Sequence, residues 1–349
     1  MDIQDILDDL HQALLIYANF MSINIKSAVA SEITLKDSPQ FNHDTRYKTL
    51  FYFDYSTFQL KNYTIKGYEH YRIPTKINET FFLNALKYKP DPTDFFVVSY
   101  PKCGTTWTNM IMYLIMNDAQ LPANGELPHG NFLEFYIGKE GAESLPYPRL
   151  IKSHLPYDLV PYNVETKYIY VTRNPFDCCV SFYNHTKGFL SYQYDGPFSE
   201  YFNYFLEGKV DGGDYFRHVL SWYGHKDDKN VLFMIYEDMK KNPEKAVTKI
   251  GQFMGGDYAN KVQNREFVEK VVSLSNFNFM KKLSEETWDN SNKRSDFSFF
   301  RKGIVGDYTL YLSKQEIQRL KSKCLEKLGE TDLLNVWNDI LDKTSVESS

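Results

Sequence analysis

The chain reads as an α/β protein, with a central, mostly parallel sheet flanked by helices in a single domain. Three observations carry that expectation. Four short apolar runs, at 95–99, 149–152, 168–172 and 231–235, are separated by stretches of helical character. Continuous runs of that length fit a sheet covered on both faces. The first run leads through a turn of small residues into an apolar helix. Each run also ends in residues able to do chemistry: Tyr100-Pro101-Lys102, Lys152-Ser153-His154, Thr172-Arg173-Asn174-Pro175 and Tyr236-Glu237-Asp238. In open parallel sheets the ligand crevice lies beyond the carboxyl ends of the strands. Lys102, His154, Arg173 and Tyr236 are therefore expected to meet at one site.

Taken in order, residues 1–44 read as an N-terminal extension, with a possible helix over 5–21 and a polar, loop-like stretch over 31–44. Residues 45–343 are assigned to the main domain and 344–349 to a tail. The run at 95–99 is followed by Tyr100-Pro101-Lys102-Cys103-Gly104-Thr105-Thr106-Trp107 and then by a buried helix over 108–116. A strand, a small-residue turn and a helix N-terminus together make an anion site, because unpaired N–H groups and the helix dipole both favour negative charge. Lys102 adds a full charge, and Thr105 and Thr106 add hydroxyls. A phosphate or sulfate is the expected occupant. At Arg173, Asn174 makes a good helix N-cap, Pro175 suits the first helical position and Asp177 suits the dipole. Near the C-terminus, Arg301-Lys302-Gly303 pairs two cations with a glycine that lets backbone amides approach an anion. The pattern Ser313-x-x-Glu316 opens a helix or two over 313–341.

Composition narrows the function. The 349 residues carry a net charge of −5, which argues against broad nucleic-acid binding. The four cysteines, Cys103, Cys178, Cys179 and Cys324, show no zinc spacing and are expected to be reduced thiols. The acidic N-terminus does not look like a signal peptide, and the apolar stretch at 14–18 is too short to cross a membrane. A soluble, cytoplasmic protein without a membrane partner is expected. The 27 Tyr and 26 Phe are mostly core, with some available to wall an apolar pocket.

Each signal has a plain alternative. The Lys102 loop could be an ordinary strand-to-helix turn, Arg173 a structural ion-pair partner, and 301–303 a basic surface loop. A lone histidine such as His154 is more often packed than catalytic, although its place at a strand end and its near-neutral pKa suit a general base. The loop is not the ATP-binding P-loop, because its lysine precedes the glycine.

Taken together, the motifs resemble the cytosolic sulfotransferase family and its P-loop-like fold. Residues 100–107 are similar to that family's Tyr-Pro-Lys-Ser-Gly-Thr-Thr-Trp loop, and Arg301-Lys302-Gly303-Ile304-Val305-Gly306-Asp307-Tyr308 to its Arg-Lys-Gly-x-x-Gly-Asp-Trp loop. Lys152-Ser153-His154-Leu155-Pro156 resembles its Lys-Thr-His-Leu-Pro. The segments 170–181 and 236–240 match as well, and the similarity runs from about residue 70 to 330. The resemblance implies a transferase that uses 3′-phosphoadenosine 5′-phosphosulfate (PAPS, product PAP) and no metal, and moves a sulfuryl group to a small-molecule acceptor. It implies that Lys102, Cys103, Gly104, Thr105, Thr106 and Trp107 hold the 5′ end. Arg173, Ser181, Arg301, Lys302 and Gly303 would hold the 3′-phosphate. Tyr236, Ser275, Phe277 and Met280 would frame the adenine, with Trp107 stacked on it. His154 would be the base and Lys102 would stabilise the leaving phosphate. Phe132, Phe135 and Lys152, with Tyr183 and Phe189, would line an aromatic acceptor pocket suited to a phenol, a steroid or another flat alcohol.

The chain departs from the family in three places. Cys103 replaces serine, and a thiolate there, if stabilised by Lys102, would be open to oxidation. Tyr308 replaces tryptophan. The segment 309–314 departs from the family's dimerisation pattern, which leaves a homodimer open.

Overall fold

Among the described residues seven strands make two sheets. The first is antiparallel, in the order β1 (Phe51–Phe53), β2 (Leu60–Ile65), β3 (Tyr68–Pro74). The second is parallel throughout. It comprises β4 (Phe95–Ser99), β5 (Leu150–Ser153), β6 (Lys167–Thr172) and β7 (Val231–Ile235), in the order β5-β4-β6-β7. The computed structural model describes residues 51–53, 60–65, 68–74, 79–128, 130–287 and 292–341, with side chains from residue 82 onward. The expected extension over 1–44, its helix over 5–21 and the tail over 344–349 lie outside the described residues.

All four apolar runs become neighbouring strands of the parallel sheet. The antiparallel sheet was not expected. Its strands mix polar and apolar residues, as in Leu60-Lys61-Asn62-Tyr63-Thr64-Ile65, and so lack the continuous apolar run that marks a doubly covered strand.

The parallel sheet is apolar on both faces, and the two-residue side-chain period sorts its residues. On one face Val97, Ile169 and Val171 pack with Met110 and Ile111 of the helix Thr105–Met116, and with Val247 and Ile250 of the helix Pro243–Met254. On the other, Phe96, Val98, Tyr168 and Tyr170 pack with Ile151 and Trp222. Each fully buried side chain of this size contributes about 1.5–3 kcal/mol of transfer free energy.

Two helix starts are closed by their own side chains. Asn174 accepts from the Asp177 N–H at 2.8 Å ahead of the helix Pro175–Gly188, with Pro175 in its first turn. Ser313 and Glu316 form a reciprocal capping box ahead of Lys314–Leu328, as their spacing predicts. Because β4 to β7 are parallel, their carboxyl ends lie along one edge, and the four chemically able strand ends share it. No helix among the described residues is long and apolar enough to cross a membrane.

Candidate active site

The loop after β4 is shaped by two left-handed residues, Lys102 (φ 69°) and Gly104 (φ 114°). A Cβ at Gly104 would also lie 3.0 Å from the Tyr236 ring, so glycine is needed there for both reasons. The Tyr100 hydroxyl donates to the Gly213 carbonyl at 2.9 Å and anchors the loop in the core. The next helix begins at Thr105, three residues earlier than the apolar run indicates, and no side chain caps it. Its first-turn N–H groups are therefore left for a ligand. The Thr105 hydroxyl is paired with that of Ser99.

Cys103 does not face the ligand cavity. Its side chain is fully buried and turned away from the cavity, with Sγ 3.7 Å from Cys178 Sγ. Burial pushes the thiol well above its usual range, so an oxidisable thiolate beside Lys102 does not arise. Its backbone N–H donates to the Tyr100 carbonyl at 3.2 Å.

Lys102 Nζ sits 3.3 Å from His185 Nδ1 and 3.8 Å from the centroid of the Phe299 ring. Burial, with repulsion from Arg173, pushes the lysine down to about 7. Burial also holds His185 well below its ordinary value. His185 is thus neutral and can accept from the ammonium.

His154 is held at three points. Its Nδ1 lies 2.7 Å from the Ser99 carbonyl, its backbone N–H donates to Glu134, and its carbonyl accepts from His218 Nε2 at 2.9 Å. A carbonyl only accepts, so Nδ1 carries the proton and Nε2 is the basic nitrogen. Burial pushes His154 down to about 3 against the pull of the Ser99 hydrogen bond, which keeps the ring neutral. Phe132 and Phe135 stand 4.7 Å and 6.0 Å from the imidazole, ring to ring. Lys152 Nζ lies 4.4 Å from the centroid of the Phe132 ring, and burial pushes it down to about 7.

The far end of the site is built from guanidinium groups. Arg173 donates to the Ile304 carbonyl at 3.1 Å and stacks 4.7 Å over the Tyr236 ring, while its buried Nε has no partner. Arg301 and Lys302 both pair with buried Asp307, and Arg301 keeps one buried terminal nitrogen unpaired. A Cβ on Gly303 (φ 62°) would fall 2.2 Å from Phe277, so only glycine fits. Trp107 meets Tyr236 edge-on at 5.6 Å.

Every residue singled out from sequence as a cofactor or acceptor contact lines one cavity of about 790 Å³, apart from Cys103 and Tyr183. That volume suits a cofactor with a small acceptor beside it. Supporting residues were missed. Glu134 and His218 position His154, and His185 pairs with Lys102. Asp177, read from sequence only as an acid at a helix start, also accepts from the N–H groups of Gly306 and Tyr308. Glu134 could have been found as a charge between Phe132 and Phe135. No local pattern marks His185 or His218. No group of three or more His, Cys, Asp or Glu able to hold a metal occurs among the described residues.

A family model described as a sulfotransferase domain matches residues 92–332. The chain belongs to the sulfotransferase family. Among its sulfotransferase relatives, the amine sulfotransferase of Oryctolagus cuniculus is 32% identical over 308 residues, covering 85% of this chain and 99% of that protein. Sulfotransferase 1B1 of Canis lupus familiaris is 33% identical, covering 72% and 88%. The crystal structure of mouse sulfotransferase SULT7A1 complexed with PAP superposes with a TM-score of 0.65 at 30% identity, over 78% of this chain and 98% of that one. Retinol dehydratase, in complex with androsterone and the inactive cofactor PAP, shares the fold with a TM-score of 0.68 at 22% identity, over 79% and 91%. The α/β sulfotransferase fold and the family expected from the motifs are therefore those of this protein.

Proposed function

We propose that this sulfotransferase moves the sulfuryl group of PAPS to a hydroxyl or amine of a small-molecule acceptor, with His154 as general base and Lys102 as the group that stabilises the leaving phosphate. One observation carries the reading. A neutral imidazole, with its tautomer set by the Ser99 carbonyl, and a lysine on an uncapped helix-start loop line the same cavity.

The residues present fit the cofactor. The unpaired helix-start amides suit the 5′ end, and the orphaned nitrogens of Arg173 and Arg301 suit a second phosphate. Lys302, Gly303 and Ser181 complete that end, and Tyr236, Ser275, Phe277, Met280 and Trp107 would enclose the base. PAPS would supply an activated sulfur–oxygen bond. His154 Nε2 would take the proton of the acceptor hydroxyl or amine, and Lys102 would donate a proton or hydrogen bond to the leaving phosphate. The loop amides would stabilise charge on that phosphate, a preorganised electrostatic effect. The phenyl rings of Phe132 and Phe135 keep water from His154 and stack the acceptor against it.

The test is a panel of phenols, amines, steroids and aliphatic alcohols incubated with labelled PAPS. A labelled acceptor supports the reading. Binding of PAP with no labelled product from any acceptor would leave a nucleotide-binding protein without transferase activity and overturn it.

A further inference from the structure

Among the described residues the cavity is lined by six lysine and arginine side chains, Lys102, Lys152, Arg173, Lys240, Arg301 and Lys302, and by a single carboxylate, that of Asp211. A polyanionic cofactor accounts for the five cations outside the acceptor pocket. It does not account for an acid, whose charge would repel that cofactor.

Asp211 is 5% exposed. Its Oδ2 accepts from the Tyr192 hydroxyl at 2.8 Å, and its buried Oδ1 has no hydrogen-bond partner. It forms no ion pair among the described residues. Burial pushes the carboxyl up to about 7 against the pull of the Tyr192 hydroxyl and the Gly212 N–H, as expected for an acid lacking a counter-ion. A buried, half-satisfied carboxylate costs free energy, so a residue of this kind calls for a reason.

Its surroundings supply one. The next residue, Gly212, packs against Pro101, which precedes Lys102; a Cβ there would lie 3.2 Å from the proline ring. Asp211 acts electrostatically on Glu134, which holds His154, and on Tyr136. Tyr192, its partner, lies 5.7 Å from His185. Asp211 therefore belongs to the acceptor end of the cavity, beside Phe132, Phe135, Tyr136, Phe189 and Tyr192. A carboxylate with a vacant oxygen among aromatic faces matches an alkylammonium, which gains an ion pair from one and cation–π attraction from the others.

We propose that Asp211 is a specificity residue that binds a cationic amine on the acceptor, so that the site prefers amine-bearing phenols or alcohols to neutral ones. This rests on the sulfuryl-transfer reading for the position of the acceptor.

The test compares tyramine with para-propylphenol, which replaces the ammonium by a methyl group. Binding of each to the PAP-loaded protein is measured by calorimetry, and turnover of each is measured with PAPS. The wild type is expected to bind tyramine more tightly. Asp211→Asn, which keeps an acceptor for Tyr192, should raise the tyramine-to-propylphenol ratio of Kd, and lower that of kcat/KM, by roughly 10- to 100-fold. PAP affinity should not fall. A wild type that binds propylphenol as tightly as tyramine overturns the proposal without any variant, and so does a ratio unchanged by Asp211→Asn. A tyramine preference in binding that depends on Asp211, without sulfated product, would sustain the amine site and count against the transfer reading instead.

Discussion

Two helix N-termini open onto the same crevice, and they are built in opposite ways. The helix at Thr105 has no side-chain cap, and its first-turn residues Thr105, Thr106 and Trp107 line the cavity. The helix at Pro175 is closed by Asn174, and its neighbour Asp177 is filled by Gly306 and Tyr308. A helix start is a ready anion site only when its own chain leaves it open. The first can follow a charge that moves during reaction. The second uses its donors in structure, and anion binding at that end would fall to the side chains of Arg173 and Arg301. One end of the proposed cofactor site is thus made to respond and the other to grip.

Several changes would break or sharpen that contrast. The largest effect is expected at the responding end: His154→Ala should lower kcat by about 10²-fold or more, the range for losing an acid–base group, while PAP affinity survives. Near-normal turnover would remove His154 from the chemistry. At the gripping end the pattern should invert. Arg301→Ala should weaken PAP binding roughly 10- to 100-fold with kcat at saturating PAPS largely kept; unchanged affinity in calorimetry would refute its role.

A third effect is set by pH. Lys102 is held near 7, so it is charged below that value and neutral above it. kcat/KM for PAPS should fall as pH rises through about 7, by about tenfold per unit beyond, while the bound anion shifts the loss in kcat to higher pH. Lys102→Arg, which stays charged, should abolish the alkaline fall in kcat/KM. His154, held near 3, should add no acidic limb between pH 5 and 7. The smallest effect belongs to the closed helix start: Asn174→Ala should cost about 1 kcal/mol of stability, read as a lower denaturation midpoint, with kcat and PAP affinity close to wild type.

The strand ends were legible because a buried parallel strand must be apolar along its whole length, and such runs stand out beside Lys102, His154, Arg173 and Tyr236. The cap at Asn174 and the box at Ser313 were legible because both partners lie within three residues. The residues that tune the site were not. His218 reaches the His154 carbonyl across 64 positions, and Asp177 reaches Gly306 across 129. Such pairs are made by the fold, not by spacing. Cys103 shows the same limit at one residue. Its place in the loop motif suggested a thiol facing the ligand, yet the turn at Lys102 and Gly104 points Sγ into the core toward Cys178.

Asp177 has one further consequence. By accepting from Gly306 and Tyr308, and from the Asn174 side chain at 3.0 Å, it fastens the segment around residues 301–308 to a helix that began about 130 residues earlier. A molecule gripped by both Arg173 and Arg301 would span that joint and act as a removable cross-link in the folded chain. By mass action, PAP at about a hundred times its Kd would add roughly 2.7 kcal/mol to the stability of the folded state. The thermal midpoint of this sulfotransferase should therefore climb with nucleotide concentration, and the joint should be among the first places to loosen without it.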